Sequence, residues 1–276
     1  MDTIEHPSRP ADAIPLPAER LLAAMAGFPG PQILDVRRDA AFAASTTSLP
    51  GALRRDPDAI GSWIATLEPQ RPVVAVCVGG HAVSQAVASA LARSGLAATY
   101  LAGGIAGWES LGFPLSSKPG PAPVFVTRER PKIDRIACPW FIRRFIAADA
   151  RFVYAPAPEV ARIAEEIGGT AFDIPGAPYT HVGEGCSFDA FVERHRPDDQ
   201  ALRILADIVR GADTEKPALH AAATGLLALS LGLSALAGEG DALALRHGMV
   251  MYDALYLWAR DCQAEQHRWP PRMVRA

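Results

Sequence analysis

Val73-Val-Ala-Val-Cys77-Val-Gly-Gly-His81-Ala-Val-Ser84 is the stretch whose reading decides the fold of the first half of this chain. A short run rich in β-branched residues stops at a cysteine. Two glycines and a histidine follow, and Ser84 opens the segment Gln85–Ser94, in which Ala86, Val87, Ala90 and Leu91 recur at helical spacing before Gly95. Strand, cysteine-headed loop and helix start come in that order. The first amides of a helix have no internal partners, and its dipole favours negative charge there. The loop Val78, Gly79, Gly80, His81, Ala82, Val83 and Ser84 therefore reads as an anion cradle. Cys77 at its head reads as a nucleophile with a lowered pKa. A core strand ending in a buried structural cysteine fits the same residues, and the stretch alone does not separate the two.

The flanking sequence repeats the alternation. A first helix starts near Pro17, and Gln32–Arg37 is a short strand ending in an acid and a base. Asp39–Ala44 forms a helical turn, Leu49-Pro-Gly-Ala52 a turn, and Asp58–Leu67 a helix. Ala98–Leu101 is a strand, and Gly103-Gly-Ile-Ala-Gly-Trp108 leads into a short helix. Strands alternating with helices imply an α/β domain, a parallel sheet with helices on both faces, with ligands at the carboxyl ends of its strands. Cys77 and the pair Asp35 and Arg37 lie at such ends.

The order Leu-Asp-Val-Arg (34–37), Leu-Pro-Gly-Ala (49–52), Val-Cys-x-x-Gly (76–80) and Gly-Gly-Ile-x-Gly-Trp (103–108) resembles a single-domain rhodanese over residues 17–116. The resemblance implies that Cys77 takes a sulfane sulfur from a small donor such as thiosulfate, holds it as a persulfide and passes it on, with no cofactor required. It also implies that Asp35 and Arg37 support the loop. Their other reading is a surface ion pair beside a turn. Trp108 reads as packing. Two departures stand out. Many rhodanese loops carry an arginine where this chain has Val83, which leaves His81 as the loop's only titratable side chain. Counted from Cys77 to Val83, the loop is one residue longer than usual, as in phosphatase and arsenate-reductase relatives, but those need the arginine that is missing here.

The whole chain has 276 residues, a hydrophobic fraction of 49%, a charged fraction of 21% and net charge −3, which suits a soluble globular protein and argues against nucleic acid as a partner. Its four cysteines (Cys77, Cys138, Cys186, Cys262) are far apart and include no Cys-x-x-Cys. They read as thiols in a reducing compartment, and the protein is expected in the cytoplasm. Met1–Pro17 is acidic and Pro-rich with no apolar h-region, so it is not expected to be a secretory signal. Ala221–Gly238 has no charged residue, but its polar residues and glycines suit a buried helix, broken in two, better than a membrane span.

The expected organisation is a first domain at 1–116, a Pro-rich linker at 117–123 and a second domain at 124–276. The second half reads as mainly α-helical. Short strands fall at Val124–Val126 and Phe152–Tyr154. Helices fall at Pro139–Ala147, Glu159–Ile167, Ser187–Arg194, Asp199–Val209, Ala218–Leu236 and Asp241–Cys262. Residues 128–151 carry seven basic against three acidic side chains. Arg135, Cys138, Arg143 and Arg144 make this a candidate oxyanion site, since guanidinium forks grip tetrahedral anions. A solvated helix face with ordinary ion pairs is the other reading. No helix-turn-helix or zinc-finger spacing supports DNA binding. His181, Cys186, Asp189 and Asp213 have the donor chemistry for a divalent metal, though at no standard spacing. Capping by Ser187 or Asp189 and core burial of Cys186 compete with that reading.

Lys132–Phe145, Ala150-Arg-Phe, Phe172-Asp-Ile-Pro, His181, Cys186-Ser-Phe-Asp189 and Ile208–Asp213 resemble the C-terminal domain of ChrB-type chromate-resistance proteins over about 124–262. That resemblance implies a part in chromate tolerance, as a cytoplasmic accessory or a sensor-regulator; it leaves open the mechanism and whether chromate, or another oxyanion, is ligand, substrate or only the stress. Two functions follow from the sequence. One is a rhodanese-type sulfurtransferase associated with chromate resistance. The other is a non-catalytic oxyanion sensor or regulator acting through its second domain.

Overall fold

The computed structural model of the protein describes residues 13–118 and 120–265. The chain divides into two compact units, Met1–Pro121 and Ala122–Ala276. Most of the acidic start, Met1–Asp12, lies outside the described residues.

In the first unit the strands are β1 (Ile14–Leu16), β2 (Gln32–Asp35), β3 (Thr47–Ser48), β4 (Leu53–Arg54), β5 (Val73–Val76), β6 (Ala98–Leu101) and β7 (Ser116–Ser117). Five of them form a parallel sheet in the order β1-β6-β5-β2-β4. β5 is central, with Val73–Val76 opposite Gln32–Asp35 on one side and Val73–Ala75 opposite Ala98–Tyr100 on the other. A strand covered on both faces needs apolar residues at every position, which is why Val-Val-Ala-Val is unbroken. Alternate residues serve different cores. Val73, Ala75 and Cys77 pack with Leu34, Trp63, Val87 and Leu91. Val74 and Val76 pack with Leu21, Ile33, Leu101 and Trp108.

The helices on those faces are α1 (Ala18–Met25), α2 (Asp39–Ala44), α3 (Ile60–Trp63), α4 (Ala82–Arg93) and α5 (Gly104–Ser110). The helix expected over Asp58–Leu67 is shorter: α3 gives way to a 3-10 turn at Ile64–Thr66, just ahead of Glu68-Pro69, where the residue before proline disfavours helix. The linker is also shorter than expected. Thr47–Ser48 pairs antiparallel with Ser116–Ser117, and the Lys118 amide donates to Thr46 O at 3.1 Å, so residues 117 and 118 belong to the first unit.

The second unit contains β8 (Val124–Arg128), β9 (Arg151–Ala155) and β10 (Thr170–Ala171) as a small parallel sheet in the order β10-β8-β9. The sequence reading had no third strand; two residues are too short for a period-2 signal. α7 (Val160–Glu166) covers this sheet through Val160 and Ala164 on Val126 and Ala155. The remaining helices are α6 (Asp134–Phe141), α8 (Ser187–His195), α9 (Gln200–Asp213), α10 (Ala223–Ala237) and α11 (Asp241–Leu257). α6 contains Pro139 and widens into a π-helical turn at Ile142–Ile146. Trp140, Phe141, Phe145, Phe188, Tyr252 and Tyr256 form its aromatic core. Gly248 lets α11 cross α6 closely, since a Cβ there would lie 2.2 Å from Ile136 Cγ2.

Among the described residues no helix is long and apolar enough to cross a membrane. The segment 221–238 is not the buried helix expected, however. α10 follows a separate 3-10 turn at Pro217–Leu219, and although it buries Ala223, Leu226 and Ser230, it leaves Leu229, Leu231 and Leu236 exposed.

Candidate functional site

Cys77 stands at the carboxyl end of β5, and its sulfur lies 3.1 Å from Ser84 Oγ. Helix α4 begins at Ala82 with His81 as its N-cap. Val83 is thus already helical, and the extra loop residue counted from sequence does not exist. Ser84 does not open the helix; it is the third helical residue, buried, with its hydroxyl at the sulfur. Val83 packs against the core beneath α4. Ala82, Val83 and Ser84 are the helix's first turn, and Val78, Gly79, Gly80 and His81 are the loop proper.

The loop's shape follows from where its carbonyls go. Cys77 O accepts from the Ile105 amide and Val78 O from the Ala106 amide, each at 3.0 Å, which uses the otherwise unpaired first amides of α5. Gly80 O accepts from Gln85 Nε2 at 3.0 Å, and His81 O from the Gln85 amide at 3.2 Å. With those carbonyls turned outward, the amides of Gly80, His81 and Ser84 turn toward the sulfur. Burial pushes the Cys77 thiol up, but the Ser84 hydroxyl and the amides of Ser84, His81 and Gly80 outweigh it and leave the thiol below its ordinary value. Gly80 and Gly104 make this possible. Both have positive φ, and a Cβ on either would strike backbone: on Gly80 it would lie 2.8 Å from Gly103 N and Gly104 N, and on Gly104 2.5 Å from Gly80 N.

One test arises here. Ser84→Ala removes the hydroxyl that favours the thiolate, so the Cys77 pKa should rise. Alkylation at pH 7 should then slow several-fold and the midpoint of its pH–rate profile should move up. An unmoved midpoint would show that the amides alone set the thiolate.

Asp35 and Arg37 are buried, not a surface pair. Arg37 Nε donates to Asp35 Oδ1 at 2.9 Å and Arg37 Nη2 to Asp35 Oδ2 at 2.5 Å. Arg37 Nη2 also reaches Thr47 O, and Ser48 Oγ donates to Asp35 Oδ2, each at 2.9 Å. Their hydrogen bonds, among the described residues, brace β3 against β2 and do not touch residues 78–84. Their link to the loop is only through the sheet, where the Val36 amide donates to Val76 O. Trp108 is buried, and its Nε1 donates to Pro114 O.

The basic cluster of the second unit does not converge on an anion. Arg143 donates to Ala150 O and lies over the Phe152 ring. Arg144 makes two bonds at 2.8 Å to Asp253, which also accepts from Trp140 Nε1. Arg135 reaches Glu129 O and Asp173. Cys138 is fully buried on α6, and burial drives its thiol well up, the opposite of a reactive cysteine. The sequence showed an excess of positive charge over 128–151, but the compensating carboxylates come from elsewhere in the chain.

The expected metal set also comes apart. Cys186 is buried as the N-cap of α8, and its thiol is pushed up by burial. Asp189 closes a capping box, accepting from the Cys186 amide at 2.8 Å, and pairs with Arg210 at 2.9 Å. Ser187 is the first helical residue, not the cap, and its hydroxyl donates to Asp173 Oδ1 at 2.9 Å. His181 and Asp213 do meet, in different company. His181 Nε2 lies 3.3 Å from Asp173 Oδ1, 3.5 Å from Asp134 Oδ2 and 3.5 Å from Asp213 Oδ2. Asp134, foremost, with Asp213 and Asp173, holds His181 up at about 9 against burial. Burial and the neighbouring Asp134 push Asp213 up to about 7.

Sequence reading missed Asp134 and Asp173 as partners of that histidine. Asp134 was hidden inside a basic run, and Asp173 is spent by charge on Arg128 at 2.6 Å. Beside the cluster the backbone is strained, which only the structure shows: Ile133 and Asp173 both have positive φ, 42° and 56°, and for the β-branched Ile133 this costs about 1–3 kcal/mol.

Comparison with known proteins bears on both units. Residues 18–111 match the rhodanese-like domain, and residues 125–259 match the family described as ChrB, C-terminal domain. Protein ChrB of Cupriavidus metallidurans is 32% identical over 133 residues, which is 48% of this chain and 39% of that protein. The chain therefore spans well under half the length of that curated relative. Among solved structures, a rhodanese-related protein from Thermoplasma volcanium is 22% identical over 38% of this chain and 99% of its own, with a TM-score of 0.34. A rhodanese-like domain protein from Staphylococcus aureus is 24% identical over 38% of this chain and 99% of its own, with a TM-score of 0.33.

Proposed function

We propose that this chain, a rhodanese-like domain joined to a ChrB C-terminal domain, is a sulfurtransferase that carries sulfane sulfur on Cys77 and serves chromate tolerance. The observation that supports this most is the convergence of the Gly80, His81 and Ser84 amides and the Ser84 hydroxyl on one thiol. The Cys77 thiolate attacks the outer sulfur of a donor such as thiosulfate. A new S–S bond forms, the donor's S–S bond breaks, and sulfite leaves with the electron pair. The terminal persulfide sulfur is anionic, and the loop amides stabilise it. A nucleophilic acceptor then takes that sulfur and returns the thiolate; with cyanide the product is thiocyanate. A thiolate of this kind works in a reducing compartment, consistent with a cytoplasmic protein.

The loop holds its anion without a guanidinium. Val83 occupies the place where many rhodanese loops have arginine, and it packs inward. Small donors and acceptors fit this arrangement better than phosphoesters, whose transition-state charge calls for arginine. The test is mass spectrometry of the intact protein and of the Cys77 peptide after incubation with thiosulfate. The expected result is the gain of one sulfur atom, lost again on adding cyanide. Unmodified protein, with thiosulfate or chromate bound but not turned over, would instead make the loop a non-catalytic oxyanion pocket.

A further inference from the structure

At His181 three carboxylates from three other parts of the chain meet the imidazole. Asp134 begins α6, Asp173 follows β10, His181 lies in the loop before α8, and Asp213 ends α9. The donor atoms of Asp134, Asp173 and His181 all lie within 4.8 Å of one another. Asp213 Oδ2 lies 3.5 Å from His181 Nε2, at the edge of that group of three. Donors on a tetrahedron with bonds of about 2.1 Å sit about 3.4 Å apart, and adjacent donors on an octahedron about 3.0 Å. The contacts of 3.3–3.5 Å around Nε2 match such edges.

Acidic clusters are common, but a second observation bears on this one. The Asp134 side chain is only 3% exposed, and its Oδ2, which faces His181 Nε2 at 3.5 Å, has no hydrogen-bond partner among the described residues. A buried carboxylate oxygen left unpaired is costly unless something positive completes it. Charge leads the same way. Asp134, Asp173 and Asp213 stand against Arg128 and Arg135, and both guanidiniums pair with Asp173. Among the described residues, the only cation in direct contact with Asp134 and Asp213 is the His181 imidazole. Asp173 also has the support that metal-binding carboxylates have: Ser187 Oγ holds Oδ1 while the arginines hold Oδ2.

We infer that Asp134, Asp173, His181 and Asp213 form a binding site for a single divalent transition-metal cation in the ChrB-type domain. One imidazole with three carboxylates suits Mn²⁺ or Zn²⁺ and disfavours Ca²⁺, which takes oxygen ligands. His181 is 43% exposed and Asp213 16%, so the cation would sit at the surface with positions left for water. This site is independent of sulfur transfer at Cys77.

The test is titration calorimetry of the chelator-treated full-length chain with Zn²⁺ and Mn²⁺ separately, with metal content measured by mass spectrometry after desalting. The expected result is one cation per chain, retained in Cys77→Ser. Affinity should fall at least about tenfold in Asp134→Asn and in His181→Ala, on the scale of losses when ligand shells are disturbed. The melting temperature of the wild type, but not of Asp134→Asn, should rise with added cation. Asp134→Asn keeps size and helix position; should it fail to fold, Asp213→Asn at the partly exposed edge decides in its place. Binding of neither cation below about 100 μM, unchanged affinity in the folded variants, or binding lost in Cys77→Ser would overturn the assignment.

Discussion

Cys77→Ser is expected to lower thiosulfate:cyanide sulfurtransferase turnover by on the order of 10³-fold or more and to abolish persulfide formation, with the fold retained. The reason lies in the atom replaced. A serine hydroxyl stays protonated in the same amide cradle, so the nucleophile is lost while the geometry stays. Cys77 packs with Leu34, Val87 and Leu91, and serine is close to it in volume, so the stability change should be about 1 kcal/mol. Circular dichroism and melting temperature check the fold, and initial rates check the chemistry. Turnover that survives in folded Cys77→Ser would place the sulfur-carrying group elsewhere. Cys138 and Cys186 are then poor replacements, since both are buried with thiols pushed up.

Gly104→Ala is expected to destabilise the first domain by about 2–5 kcal/mol and to remove the activity along with it. The added Cβ would lie 2.4 Å from Cys77 O and 2.5 Å from both Gly80 N and Val78 O. All three are backbone atoms of the Cys77 loop and cannot rotate away. Overpacking of this kind costs about 1–3 kcal/mol, and a positive φ on an alanine adds about 1–2 kcal/mol. Relief requires moving the Gly103–Gly104 turn off the loop, which breaks the bonds from Ile105 and Ala106 to Cys77 O and Val78 O. Those carbonyls would then turn, and the amides with them. Alkylation of Cys77 should lose its low-pH component even in the fraction that stays folded. A melting temperature within about 2 °C of wild type, with unchanged alkylation, would contradict this close approach.

Much of the first domain could be read directly because its signals are local. Val73–Val76 is apolar at every position because both faces of β5 are covered, and the turn from strand through Cys77 into a helix follows in sequence without interruption. The start of α4 was the exception. Ser84 has the residue type of a cap, but His81 takes that place, because the carbonyls of Cys77 and Val78 are held by Ile105 and Ala106 of α5, about 28 residues further along the chain and invisible to any local window. Asp35 and Arg37 could be identified as a pair, but not that they are buried or that they hold Thr47 and Ser48 rather than the loop.

The second domain shows the opposite balance. Its helices follow periodicity, but its chemistry comes from residues far apart in the chain. Counting charges over 128–151 suggested an anion site at Arg135, Arg143 and Arg144. Folding gives Arg144 to Asp253 and Arg135 to Asp173, both distant in sequence. Grouping His181 with Cys186 and Asp189 by proximity suggested one metal set. Folding gives Cys186 and Asp189 to the start of α8 and brings Asp134 and Asp173 to His181 instead.

By itself, then, the sequence determined the alternation of strands and helices, the cysteine-headed loop and the change of character after residue 123, because side-chain period, turn residues and helix starts act over a few neighbours. Only the tertiary structure decided which charges neutralise one another and which buried carboxylate oxygen, among the described residues, is left without a hydrogen bond. Ion pairing and desolvation depend on distance in space and on burial, and neither is a property of a stretch of sequence.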